Sequence, residues 1–172
     1  DWILSDPAEP ATAIPWRSLI ANPAVLGLTI GRFLTDPVWW FYLYWAPKFL
    51  NAQFGFKLDQ LGLPVALMYL FGNAGGIFGG WLSALFIRGG AAHATARKRA
   101  MLICALLVLP IVYAARTREP WVAIALIALA MAAHQGWAAN VFTLVSDLFP
   151  KHVVSSIVGV NGFGGAVGGM LV

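Results

Sequence analysis

"LGLPVALMYLFGNAGGIFGGWLSALFI", residues 61–87, holds no charged side chain. A helix rises 1.5 Å per residue and needs about 20 apolar residues to cross a hydrocarbon core of about 30 Å, a length this run exceeds. A second run, Pro120 to Ser146, has His134 as its only titratable residue. The whole 172-residue chain agrees, being 60% hydrophobic and 10% charged, where an average soluble domain carries about 25% charged residues. The expected fold class is an all-α membrane protein.

Outward from these two runs, the spacing predicts five membrane-crossing helices: Pro23 to Leu50, Leu61 to Ile87, Ala100 to Ala115, Trp121 to Val145, and a fifth from about Val153 to the chain end. Asn22 followed by Pro23 supplies an N-cap and a first-turn proline for the first of them. Ahead of it, "WRSLI" (16–20) reads as a short surface helix, and "SDPAEP" (5–10) has the turn residues of a linker. The third helix is short, with Arg99 and Arg116 placed to snorkel from its ends. An odd helix count with no basic stop after "GGMLV" (168–172) reads as a fragment.

The loops between these helices set an orientation. Arg17, Arg88, Arg97, Lys98, Arg99 and Lys151 fall on one side, and Lys48, Lys57, Arg116 and Arg118 on the other. The richer side is expected to be cytoplasmic, which puts the N-terminal end there. Four of its basic residues lie in "RGGAAHATARKR" (88–99), read as a loop. These residues separate apolar runs and form no stripe with exposed aromatics, so no nucleic-acid partner is expected. Cys104 is the sole cysteine, which excludes an intrachain disulfide or a thiolate metal cluster.

Against this background the polar residues inside the helices stand out. Arg32 and Asp36 sit well within the first span, where ionisable groups cost at least about 2.5 kcal/mol each and face protein or water. Their i, i+4 spacing lets them pair. Pro37 removes a helical hydrogen bond beside them and favours a kink. Trp39, Arg32, Leu43, Asp36, Trp40 and Tyr44 share one arc of that helix, and would offer charge, indole N–H and phenolic O–H to a small polar solute. The alternative is a structural ion pair with aromatics in lipid. In the fourth span His134, Trp137 and Asn140 share a face, with Gln135 further round, and Asn73 and Asn161 add amides that suit hydroxyl-rich ligands. Gly72, Gly75, Gly76, Gly79 and Gly80, and again Gly164, Gly165, Gly168 and Gly169, predict close helix packing. No HExxH, G-x-S-x-G or Walker sequence is present, and neither an enzyme nor a cofactor is expected.

"GRFLTDPVWWFYLYWAPKFL" (31–50), "GGWLSALFIRGG" (79–90), "ARKRAM" (96–101) and "SDLFPKHVVSSIVGVNGFGG" (146–165) together resemble the C-terminal half of the major facilitator superfamily, in particular its anion:cation symporters, which include hexuronate (glucuronate and galacturonate) transporters. The resemblance implies helices seven to eleven of a twelve-helix fold, with residues 1–22 ending a central cytoplasmic loop and 23–172 forming a partial transmembrane bundle. It departs at Ala84, where the superfamily's loop motif carries an aspartate. It further implies a multi-pass protein of a bacterial inner membrane, partnered by the N-terminal half of the same transporter, working by proton-coupled symport of an organic anion such as a hexuronate. Trp39, Trp40, Tyr44, Trp137, Asn140 and Asn161 become candidate substrate contacts. Arg32, Asp36 and His134 become a candidate ion pair or coupling group, with the main proton-carrying acids in the N-terminal half. Another organic anion, aromatic or a small carboxylate, and a membrane subunit without transport activity are the alternatives.

Overall fold

The computed structural model describes residues 15–171; the linker read in residues 5–10 lies outside them. Six α-helices follow in order: α1 (Trp16–Ile20), α2 (Pro23–Phe54), α3 (Gly62–Arg88), α4 (His93–Val108), α5 (Pro120–Leu148) and α6 (Lys151–Gly169). No strand occurs among the described residues.

Local chemistry sets the ends of these helices. The Asn22 side chain accepts from the Ala24 N–H at 2.9 Å, Pro23 opens α2, and Gly55 closes it at φ 71°, a left-handed conformation that glycine adopts without steric cost. α2 runs unbroken through Pro37 and Pro47, and its 32 residues reach roughly 48 Å. Pro120 opens α5, and Pro150 forces Phe149 into an extended conformation that separates α5 from α6.

The third long helix differs from the sequence expectation. It spans His93–Val108 rather than Ala100–Ala115, so Arg97, Lys98 and Arg99 belong to its first two turns and not to a loop. Pro110 explains the early end, because it has no N–H for a helical bond; residues Leu109–Tyr113 continue as a tighter 3-10 turn.

Packing reverses the usual arrangement of a water-soluble bundle. Leu63, Leu70 and Ile77 on α3, Leu102 and Leu106 on α4 and Phe163 on α6 all point outward and are more than half exposed. Outward apolar side chains of this kind mark a surface for lipid or for further protein elements. α3 and α5 are also long and apolar enough, by length and composition, to cross a membrane. α2 carries Arg32, Asp36 and Lys48 among its apolar residues, and α4 and α6 are shorter.

Inside the bundle α5 is the hub. α3 and α4 pack along it, while α6 lies mainly on α2. Both close crossings use glycine. A methyl added at Gly75 or Gly79 of α3 would overlap the backbone of Ala132 or Gly136 on α5. One added at Gly164 of α6 would stand 2.6 Å from Thr29 Cγ2 on α2, and one at Gly168 would overlap the Phe33 carbonyl. That carbonyl is the one whose helical donor Pro37 deletes.

The core divides into two apolar clusters. One joins Tyr42, Ala46 and Leu50 of α2 to Met68 of α3 and to Ile124, Ile127 and Met131 of α5. The other joins Leu19 of α1 and Val25 of α2 to Val145 of α5 and to Val153 and Ile157 of α6. Through Leu19, α1 is docked into the second cluster rather than merely lying on the surface. Along α2 and α5 the residues between the clusters include Arg32, Asp36, His134, Gln135 and Asn140. A polar layer thus separates two apolar ends.

Candidate functional site

The polar layer contains a cavity of about 260 Å³ between α2 and α5. Arg32, Asp36, Trp39 and Trp40 line it from α2; His134, Gln135, Ala138 and Phe142 line it from α5. The helical period explains this grouping, since residues three, four and seven apart return to the same face.

Arg32 and Asp36 form an ion pair within one helix, Nη2 to Oδ2 at 2.8 Å, with both side chains largely buried. The Arg32 guanidinium also lies 4.7 Å from the centre of the Phe142 ring, a cation–π contact across to α5. Gly165 of α6 packs directly against the Asp36 carboxylate. His134 links the two walls: its Nε2 is 2.9 Å from the Thr35 carbonyl, and its ring stacks on Trp39 at 5.9 Å and 20°. Arg32 Nε and His134 Nδ1 have no hydrogen-bond partner among the described residues.

The remaining sequence candidates lie elsewhere. Tyr44 stacks on Trp40 at 6.2 Å, and this pair faces Ala166, Gly169 and Met170 of α6 across a separate cavity of about 300 Å³. Trp40 lines both cavities. Trp137 lines a third, apolar space of about 250 Å³ on the other side of His134, with Val38, Tyr42 and Cys104.

Asn140 does not reach any of these cavities. It is fully buried at the α3–α5 crossing, where its Nδ2 donates to the carbonyls of Gly79 at 2.9 Å and Gly136 at 2.8 Å. Asn161 is likewise buried at the α2–α6 crossing, its Oδ1 accepting from Thr29 Oγ1 at 2.7 Å. Asn73 lines none of these cavities either. Thr35, Phe142 and the wall position of Gln135 were not singled out from the sequence; Phe142 lies eight residues beyond His134, a helical repeat that could have flagged it.

At one end of the bundle a second charged group ties three helices together. Arg97 of α4 pairs with Asp147 of α5 at 3.0 Å, and its Nη1 donates to Ser83 of α3 at 2.6 Å. The basic segment read as a loop therefore anchors α4 to its neighbours.

The fold and the polar layer define a class: a helical membrane protein with charged and aromatic groups gathered between apolar ends. Comparison with known proteins makes the class specific. Residues 3–172 match the Major Facilitator Superfamily, and the chain belongs to it. It is 31% identical to a D-galactonate transporter of Escherichia coli O6:H1 over 95% of its length. Identity to a probable galactarate/D-glucarate transporter of Escherichia coli K12 is 32% over 86% of the chain, and to the hexuronate transporter of that strain 30% over 84%. These matches span 38%, 33% and 34% of those relatives, so the chain covers about a third of their length.

Proposed function

We propose that the chain supplies the seventh to eleventh helices of a twelve-helix secondary transporter for sugar acids, a hexuronate or an acid related to it. The cavity between α2 and α5 forms part of its substrate site. The observation that carries this reading is the polar layer itself: Arg32, Asp36, His134 and Gln135 surround a cavity between two apolar clusters, in a chain of this superfamily. Charges at mid-membrane are costly unless they face protein or a water-filled path. The named substrates of the three relatives, all sugar acids, support the ligand class.

In this reading transport proceeds by rocking this bundle against the N-terminal half around a site near the midplane. Symport with a proton belongs to the same proposal. Asp36 is already held by Arg32, which makes carboxylates outside these helices the better proton carriers. The N-terminal end faces the cytoplasm in an inner membrane, supported by the basic residues Arg17, Arg88, Arg97, Lys98, Arg99 and Lys151 at that end of the bundle.

The aromatic walls favour a second reading. Trp39, Trp40 and Tyr44 line two of the cavities with aromatic surface that suits a benzenoid acid as readily as a sugar. Uptake of labelled D-galactonate, D-glucuronate and benzoate into vesicles holding the full-length protein separates the two, measured with and without an inward proton gradient. Gradient-driven uptake of a sugar acid, reduced at least several-fold in Trp39→Ala, is the expected result. Uptake of benzoate alone would replace the sugar-acid reading with the aromatic one.

A further inference from the structure

Two of the cavities follow one another along α2. Arg32, Asp36, Trp40 and Tyr44 are spaced four residues apart, so they form one stripe on that helix, each about 6 Å beyond the last. The polar cavity of about 260 Å³ takes in the stripe from Arg32 to Trp40, and the cavity of about 300 Å³ against α6 takes it in from Trp40 to Tyr44. Among the described residues Trp40 alone lines both. The two spaces differ in chemistry. Arg32, Asp36 and Gln135 give the first charge and an amide, whereas Ala166, Gly169 and Met170 make the α6 wall of the second apolar.

Trp40 is held at this boundary from two sides. Its ring stacks on Tyr44 at 6.2 Å and 14°. Its edge rests on Gly169, where the three atoms nearest an added methyl are Trp40 Cδ1, Nε1 and Cγ, at 2.8, 2.9 and 3.8 Å. A side chain at position 169 would move the indole, so the glycine sets where the ring sits. Each cavity alone lies at or below the small end of the range for ligand pockets, roughly 300–1,000 Å³. One six-carbon acid suits a space of that size. The same acid carrying a second ring needs both spaces, and the indole stands where they meet.

We infer that Trp40 sets the length of ligand the site accepts: it admits free D-glucuronate and excludes an aryl glucuronide, whose aromatic group would have to pass the indole into the apolar cavity. The inference rests on the transporter reading above and makes Trp40 a specificity-determining residue of that site.

The test is competition for labelled D-glucuronate binding to the purified full-length protein, with unlabelled D-glucuronate and phenyl β-D-glucuronide as competitors. In the wild type the phenyl glucuronide competes several-fold more weakly than the free acid. Trp40→Ala and Trp40→Leu each narrow that gap by improving competition by the phenyl glucuronide. Gly169→Ala changes the ratio of the two competitors while Trp40 is present and leaves it unchanged in the Trp40→Ala background, where the added methyl has no indole to move. Equal competition by the two compounds in the wild type overturns the inference. So does a gap that stays the same in both Trp40 variants, including one in which both affinities fall together as a loss of packing would make them. A wild type that takes up D-galactonate but binds no D-glucuronate also overturns it, while the sugar-acid reading stands. If folded wild type takes up neither acid, the sugar-acid reading falls and this inference falls with it.

Discussion

Two neighbouring glycines on α3 give a sharp test of the packing. At Gly79 an added methyl would overlap the Gly136 backbone of α5, and backbone cannot swing aside as a side-chain end can. At Gly80 nothing lies within 4 Å of the same methyl. Gly79→Ala must push α3 away from α5, an overpacking cost of about 1–3 kcal/mol. The separation also stretches the 2.9 Å bond from Asn140 to the Gly79 carbonyl, worth about 1 kcal/mol. Both variants gain about 0.8 kcal/mol of helix propensity on replacing glycine by alanine. That gain cancels in the comparison, which leaves Gly79→Ala less stable than Gly80→Ala by about 2–4 kcal/mol. The assay is SDS-induced unfolding of the full-length protein in mixed micelles, followed by tryptophan fluorescence. Equal shifts for the two variants would refute the close crossing of α3 on α5.

Other predictions concern the polar contacts. Asp36→Asn leaves the largely buried Arg32 without its counterion and lowers stability in the same assay by about 1–3 kcal/mol, below the full cost for a deeply buried pair because both side chains retain some exposure; adding Arg32→Gln recovers part of the loss. Asn140→Ala removes bonds to the Gly79 and Gly136 carbonyls, and is expected to cost about 1–2 kcal/mol, with faster amide exchange at the α3–α5 crossing. Asp147→Asn weakens the Arg97 clamp by no more than about 1 kcal/mol, and the difference from wild type shrinks as salt rises. Thr29→Val removes the hydroxyl held by Asn161 and loosens α6 on α2, seen as raised thiol reactivity of a cysteine placed at Ile157, which is buried in the cluster with Val25 of α2.

How far the sequence could be read depended on whether one helix or two decided the answer. Uncharged length identified α3 and α5, and the glycine spacing marked the crossing face at Gly72, Gly75 and Gly79, while Gly76 and Gly80 lie off the contact. Both are properties of a single helix. α4 starts earlier than its charge pattern suggests, because Arg97, Lys98 and Arg99 resemble a loop until Asp147 and Ser83, on two other helices, are seen to hold Arg97. Asn140 and Asn161 were candidates for ligand contact because a buried amide has the same helical phase whether it faces a solute or a neighbouring backbone. Here the neighbours are the Gly79 carbonyl and Thr29. The arc holding Arg32, Asp36, Trp39 and Trp40 was visible in one helix, but its opposing wall of His134, Gln135 and Phe142 required the placement of α5 against α2.

Substrate protection of the cavity wall tests the central claim most directly. Gln135→Cys, on the cavity, and Asp59→Cys, exposed in the connection between α2 and α3, are each made in the full-length protein and labelled with a membrane-impermeant thiol reagent, with Cys104 replaced by serine in both. The account predicts that saturating D-galactonate or D-glucuronate slows labelling at position 135 several-fold and leaves position 59 unchanged. Labelling at 135 that proceeds at one rate with and without these sugar acids, in protein that takes them up, would contradict it.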